Sequence, residues 1–414
     1  MKRVNNIYDS IVDIRIIQNM YDSRIKLNTK NKKKLEKFEN NYVSNMIYIK
    51  NILENKTYKT GKYNIFLIKE PKVRLIMSQN IIDKLINHIV SEYFLVQVFD
   101  KSLINENIAT RVGKGTHYGI KLVKKYLNEL KGKDFYILKF DISKYFYNLD
   151  HEVLKTLIRK KIKDKDALNI LDEIIDSTDK SYVNETIKSY KKREIDRLIN
   201  SNVSNKKELI KEVEAIPEYK KGKGLPIGNM SSQALAILYL NELDHYIKNE
   251  LNIKYYIRYM DDGILIHEDK EYLKYCLKEI EKILFKYKLT LNNKTAIVNI
   301  KEGFEFLGFR YNIKNDRVIL KVKNQTKRRF KRKLKLFKKL LENKKITINE
   351  TTQVINSYLG HLKHGNSKKL IYMAEKKYKL IVENNDNLGI EIKIFNEGIV
   401  KIYKYKSNLI LIKK

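Results

Sequence analysis

Between Tyr256 and Asp269 the chain reads YIRYMDDGILIHED, two short alternating apolar runs on either side of paired acids. Such alternation suits a strand with one buried face, and a one-residue slip would turn every side chain to the wrong side. The two runs therefore predict a hairpin with Asp261 and Asp262 at its tip. Adjacent carboxylates repel, so a chain gains no stability by setting them in a tight turn. Either the tip is merely hydrated, or it holds something positive.

A second acid stands in a matching context. DFYILKFDI alternates like a strand and places Asp141 at its apolar end, followed by helical sequence. Strand-end aspartates from distant parts of one sheet can converge on a hard cation. Mg²⁺ prefers oxygen ligands and is commonly held by one or two carboxylates together with substrate phosphates. Two such ions about 3.5–4 Å apart can activate a hydroxyl and stabilise a leaving group in an in-line displacement. Three solvated strand-end acids would explain the same residues, and on these residues alone both readings stand.

The charge narrows the class of partner. Lys and Arg number 85 against 49 Asp and Glu, a net charge of +36. A compositional bias toward Lys, Asn and Ile would also favour Glu, so it does not account for the imbalance. A field this large points to a polyanion, with nucleic acid as the first choice. Residues 321–345 concentrate it, with thirteen Lys or Arg and one acid, Glu342. Phe330, Leu334, Phe337 and Leu341 recur there at helical spacing, so one stripe can pack while Lys327, Arg328, Arg329, Lys331 and Arg332 face a phosphate backbone.

The remaining layout is α+β. Residues 1–60 read as amphipathic helix, Phe66–Met77 as two short strands around Pro71, and Gln79–Phe99 as a buried helix. Thr178–Tyr219 is rich in Lys, Glu, Asn and Ser and reads as a polar insertion rather than core, whereas Asn229–Leu251 is strongly apolar helix. The tail from Gly389 alternates around Asn396-Glu397-Gly398 and predicts a small hairpin. The polar N-terminus carries no hydrophobic signal core and no stretch reaches the length of a membrane span, so we expect a cytoplasmic protein without membrane contact. The single cysteine, Cys276, excludes an internal disulfide, and His361 and His364, spaced as H-x-x-H without Cys or an acid beside them, are not read as a metal site.

FDISKYFYNLDH, GLPIGNMSSQ, YIRYMDD and FEFLGF resemble, in order and spacing, the palm motifs of reverse transcriptases. KEPKVRLI and RVGKGTHYGI resemble the fingers blocks, LTLNNKTAIV the segment after the active site, and SYLGHLKHGNSKKL the thumb of bacterial members. The resemblance spans residues 60–380 and implies a right-hand polymerase. It implies fingers at 61–135, palm at 136–177 and 220–316, and a basic helical thumb at 317–384, to which the residues themselves add a helical extension at 1–60, a polar insertion at 178–219 and a strand-like tail at 385–414.

The resemblance also implies roles. Asp141 and Asp261 would ligate two Mg²⁺ ions, or Mn²⁺ as the alternative, with the carbonyl of Ile142 completing a shell and Asp262 completing the acidic cluster. Lys144 and Tyr145 would offer backbone N–H groups to a dNTP, and Arg74, with Lys72 or Lys69, would neutralise its triphosphate from the fingers. Ile227, Gly228 and Gln233 would line the same nucleotide. Lys294 is the candidate proton donor to pyrophosphate, and Phe306, Leu307 and Gly308 the primer grip. Phe146, five residues after Asp141, falls where reverse transcriptases place a ring beneath the sugar, which implies dNTP rather than NTP use.

GLPIGNMSSQ departs from the common pattern, with Ile227 where most members carry Gln and Ser232-Gln233 where they carry Ser-Pro. This form is similar to that of diversity-generating retroelement enzymes and of related bacterial reverse transcriptases used in phage defence. The expectation is an RNA-directed DNA polymerase copying a dedicated non-coding RNA in anti-phage defence, with an RNA/DNA duplex as product. An accessory protein or a second copy would be further partners. Adenine-directed diversification, template-independent or repetitive synthesis, and a non-catalytic RNA-binding scaffold are the competing expectations. Nothing in the chain resembles an RNase H domain or a Cys/His nuclease module.

Overall fold

A computed structural model describes residues 3–69, 72–203, 205–383, 390–395 and 399–404. The chain gathers into two compact units. The first comprises 1–113, 139–265 and 274–296, the second 114–138, 266–273 and 297–414.

In the first unit the N-terminal region is helical at Ile14–Met20, Lys32–Glu39 and Tyr42–Glu54. The side chain of Asp13 caps the first of these and that of Asn31 the second, each accepting from a backbone N–H that the helix itself cannot pair. Strands β1 (Asn64–Ile68) and β2 (Arg74–Ser78) pair antiparallel with Ile68 opposite Arg74. Pro71, expected between them, lies outside the described residues. Helix Ile81–Val90 follows, capped by Asn80 and buried along Ile81, Leu85, Ile86, Ile89 and Val90. Helix Met230–Tyr239 is buried at eight of its ten positions, so it runs through the core instead of along a surface.

The polar segment 178–219, expected to lie outside the core, contributes buried residues. It forms two helices, Ser181–Ile199 and Lys206–Glu214. Val183, Ile187, Ile216 and Tyr219 share one buried cluster with Tyr63, Ile65, Leu75 and Met77 of the β1–β2 region. Its composition is polar because most of its surface is exposed. The few apolar residues sit four apart or at the segment's end, which suffices for one packed face.

Three further strands carry the paired acids and their partner: β3 (Tyr136–Asp141), β4 (Tyr255–Tyr259) and β5 (Asp262–His267). With β6 (Ala296–Asn299) they form a four-stranded sheet in the order β4–β5–β3–β6.

The second unit adds an antiparallel three-stranded sheet of β7 (Phe304–Phe306), β8 (Phe309–Lys314) and β9 (Arg317–Val322). Helices Asn324–Glu342, Ile348–Lys363 and Lys368–Glu383 come next, the second opened by a Thr347/Glu350 capping box. Strands β10 (Ile390–Phe395) and β11 (Ile399–Lys404) pair antiparallel. Asn396-Glu397-Gly398, where the alternation predicts their turn, lies outside the described residues. Among the described residues no helix is long and apolar enough to cross a membrane.

Candidate active site

The YMDD hairpin forms as its alternation requires. β4 ends at Tyr259, Met260 adopts a left-handed φ of +56°, and β5 begins at Asp262. A non-glycine residue in that conformation costs on the order of 1–2 kcal/mol, so its surroundings must impose it. Met260 and Tyr259 pack against Leu103, Ala109 and Ile237. The residue after the pair, Gly263, is glycine for a steric reason: a Cβ there would stand 2.2 Å from Phe140 Cζ.

Asp141 ends β3 and is locked from its other side by residues 290–295. Asn292 N donates to the Asp141 carbonyl at 2.7 Å, Ser143 N donates to Thr290 O at 2.9 Å, and Ile142 bridges Leu291. Lys294, the candidate proton donor, is exposed in this same segment, its N–H donating to Asn292 Oδ1 at 3.1 Å.

The three aspartates converge electrostatically. Burial pushes the Asp261 carboxyl up to about 6, and repulsion from Asp141 and Asp262 adds to it, opposed by its own backbone N–H and by Arg74. Arg74, at the start of β2, is thus close enough to be felt at the centre. Carboxylate oxygens are the donors a hard divalent cation takes, and the mutual repulsion of these three acids is what such a cation would relieve.

Around the carboxylates the other expected residues take different places. Lys144 is left-handed with φ +45° and exposed, starting the short helix Tyr145–Asn148. The Tyr145 side chain is buried and its hydroxyl donates to Ala236 O at 2.6 Å, so only its backbone can face a nucleotide. Phe146 lies edge-on to Tyr145, and its carbonyl accepts from Leu225 N at 2.8 Å, which joins it to the GLPIG loop. Ile227 O accepts from Met77 N at 2.9 Å. Gly228 has φ +134°, and a Cβ there would approach Met77 O to 2.9 Å. Gln233 is half-buried on helix Met230–Tyr239. Lys72 is exposed, whereas Lys69 is paired with the nearly buried Glu194.

Two features escape a reading of the sequence. Lys139 Nζ stands 3.8 Å from Asp262 Oδ1, across the neighbouring strand. The signal is there, because Lys139 and Asp141 are two apart and so share a face of β3. The second is a fully buried ion pair. Arg258 donates from Nε to Asp244 Oδ1 and from Nη2 to Asp244 Oδ2, both at 2.6 Å. Burial works against the guanidinium charge, yet Asp244 more than offsets it and holds Arg258 above its usual range. An arginine inside an alternating apolar strand and an aspartate inside apolar helix are the visible signs.

In the second unit, Leu307 and Gly308 form the two-residue turn between β7 and β8, with φ of +49° and +85°. Two positive φ values match the twist of an antiparallel hairpin. The ring of His361 lies 4.6 Å from that of Phe309, tilted by 33°. On helix Asn324–Glu342 the expected stripe of Phe330, Leu334, Phe337 and Leu341 is buried. Arg328, Lys331 and Arg332 are exposed, Lys327 and Arg329 half-buried, and Arg329 Nε donates to Tyr358 OH at 3.1 Å.

Among the described residues one group of His and acidic side chains is close enough to hold a cation: His151, Asp176 and Asp179. The protein already serves it. His151 Nε2 donates to Gly224 O at 2.8 Å, Lys155 pairs with Asp176 at 2.8 Å, and Gly222 N donates to Asp179.

A family model described as reverse transcriptase (RNA-dependent DNA polymerase) matches residues 67–311. That range contains β2, the three aspartates, Phe146 and the β7–β8 turn. No curated protein matches the chain.

Proposed function

The chain belongs to the reverse transcriptase family and is an RNA-directed DNA polymerase, a nucleotidyltransferase with a palm fold, and from this we propose that it extends a primer 3′-hydroxyl with dNTPs along a dedicated non-coding RNA in anti-phage defence. What carries the chemistry is the electrostatic coupling of the three acids: burial, together with repulsion from Asp141 and Asp262, pushes Asp261 up to about 6. Asp141, Asp261 and the Ile142 carbonyl would hold two divalent cations, Mg²⁺ by the oxygen donor set, with Asp262 completing the cluster. Such ions, when bound, lower the cost of the charge that develops on the attacking and leaving oxygens.

The chain's own residues would do the rest. Arg74 and Lys72 would bind the triphosphate, where guanidinium–phosphate pairing is strong. The N–H groups of Lys144 and Tyr145 would orient it, and Phe146 would exclude a 2′-hydroxyl. Lys294 would hold a proton for the leaving pyrophosphate. We assign residues 61–135 to fingers, 136–177 and 220–316 to palm, and 317–384 to a thumb whose basic helix follows the duplex. Leu307 and Gly308 would grip the primer end. The helical segment 178–219 and the β10–β11 pair support the defence setting as additions to a minimal polymerase. Ile227, in place of a hydrogen-bonding Gln, favours adenine-directed diversification as the second reading.

The test is to purify the protein with co-expressed RNA, supply labelled dNTPs or NTPs with Mg²⁺, and sequence the product. Templated DNA supports the proposal, and errors concentrated at template adenines favour diversification. Repetitive or untemplated product argues against a dedicated template, and NTP-only incorporation contradicts the role of Phe146.

A further inference from the structure

The buried pair Arg258–Asp244 raises a question that stability does not answer. A buried ion pair is often no more stabilising than apolar side chains of the same volume. An apolar pair, however, cannot donate a hydrogen bond to a neighbouring backbone. Arg258 Nη1 donates to the carbonyl of Met260 at 2.7 Å, and Met260 is the left-handed residue immediately before Asp261.

Both partners are held without slack. The guanidinium places two donors on Asp244 and a third on Ile237 O at 2.9 Å, leaving Nη1 aimed at the turn. Asp244 in turn accepts from Tyr256 OH at 2.8 Å and from Asn107 Nδ2 at 3.2 Å, so each of its oxygens serves two donors. The backbone of Arg258 is fixed as well. Its N–H donates to Glu106 O and its carbonyl accepts from Ile108 N, both at 3.0 Å. Helix and strand thus meet at one guanidinium, the 104–109 segment holds the Arg258 backbone and Asp244, and the guanidinium's remaining contact is the strained peptide.

We infer that Arg258 is a positioning residue for Asp261: clamped by Asp244, its guanidinium holds the carbonyl of left-handed Met260 and so fixes the direction in which the Asp261 carboxylate leaves the turn. This rests on reading the three aspartates as the polymerase centre. Lysine cannot substitute, since a single ammonium cannot fork across Asp244 and still reach Met260.

The experiment compares Arg258→Lys and the double variant Arg258→Met/Asp244→Leu with the parent, each as the full chain with its RNA. Amide hydrogen exchange is followed over residues 259–263, Mn²⁺ affinity by electron paramagnetic resonance, and primer extension as kcat and dNTP KM. Turn amides should exchange about tenfold faster and kcat fall about a hundredfold, with dNTP KM and RNA affinity within about threefold of the parent. Mn²⁺ affinity should weaken in the same variants. A folded variant whose turn exchange and Mn²⁺ affinity equal the parent's would overturn the inference. So would unfolding of both variants, which would make the pair a member of the core instead of an aiming device. If the parent incorporates no nucleotide, the proposed function fails, while exchange and Mn²⁺ binding still decide the role of Arg258.

Discussion

Gly263 and Phe140 meet across adjacent strands so closely that no side chain fits between them, with 2.2 Å from a Cβ on the first to Cζ of the second. Phe140 immediately precedes Asp141 and Gly263 immediately follows Asp262. The contact therefore sets the spacing of the two strands that bring the acids together. Gly263→Ala should lower stability by about 1–3 kcal/mol, the usual cost of overpacking, read as a shift in the urea midpoint. Combining it with Phe140→Leu should recover part of that stability. An alanine variant as stable as the parent would mean the strands separate freely.

The acid cluster predicts a coupling between pH and metal. Asp261 titrates at about 6 in the folded state against 3.8 for an unperturbed aspartate. Between those values the metal-free folded protein keeps a proton that the unfolded chain has released, so stability falls as pH rises through the window and levels off above it. A cation needs the ionised carboxylate, so Mg²⁺ should raise Tm well above pH 6 and far less near pH 5. Thermal melts with and without Mg²⁺ at both ends of the window check this, with Asp261→Asn expected to lose both effects. An equal Mg²⁺ shift at the two ends would contradict it.

Phe146 should govern sugar choice. Phe146→Val removes the ring beneath the ribose, and discrimination against NTPs should fall about 10- to 100-fold, the rate equivalent of relieving a 1–3 kcal/mol clash. Competition of labelled NTPs with dNTPs on one template measures it. The Leu225 bond to the Phe146 carbonyl is made by backbone and does not depend on the ring, so dNTP incorporation itself should survive.

The exposed cations of helix Asn324–Glu342 should act through phosphate. Replacing Arg328, Lys331 and Arg332 by Gln should weaken template–primer binding without regard to sequence. For each phosphate that is no longer neutralised, the slope of log affinity against log salt should shrink by about 0.9. An unchanged salt slope would place the duplex elsewhere.

The sequence is most readable where one residue's chemistry is also its local pattern. Asp141, Asp261 and Asp262 stand at the ends of alternating strands, and the stripe Phe330–Leu341 repeats at helical spacing, so period alone locates them. Arg258 and Lys139 are not legible as functional, because their partners Asp244 and Asp262 lie on other elements and pairing across elements has no period. The pairing of Lys69 is hidden for the same reason: Glu194, its partner, is more than a hundred residues away. The segment 178–219 looks like a loose insertion by its average polarity, although what decides packing is the few positions on one face.

The core shared by that segment and the β1–β2 hairpin has a consequence for how such a chain can change over time. Val183, Ile187, Ile216 and Tyr219 cover Ile65, Leu75 and Met77, while Glu212 accepts from Val73 N and Glu194 pairs with Lys69. Excision of the helical pair would expose those side chains and unseat the strand that begins at Arg74. A lineage could lose it only by recolouring the underside of the hairpin from apolar to polar at the same time. The two segments therefore depend on each other in the fold, and a shortened version would have to be redesigned at the hairpin before it was cut.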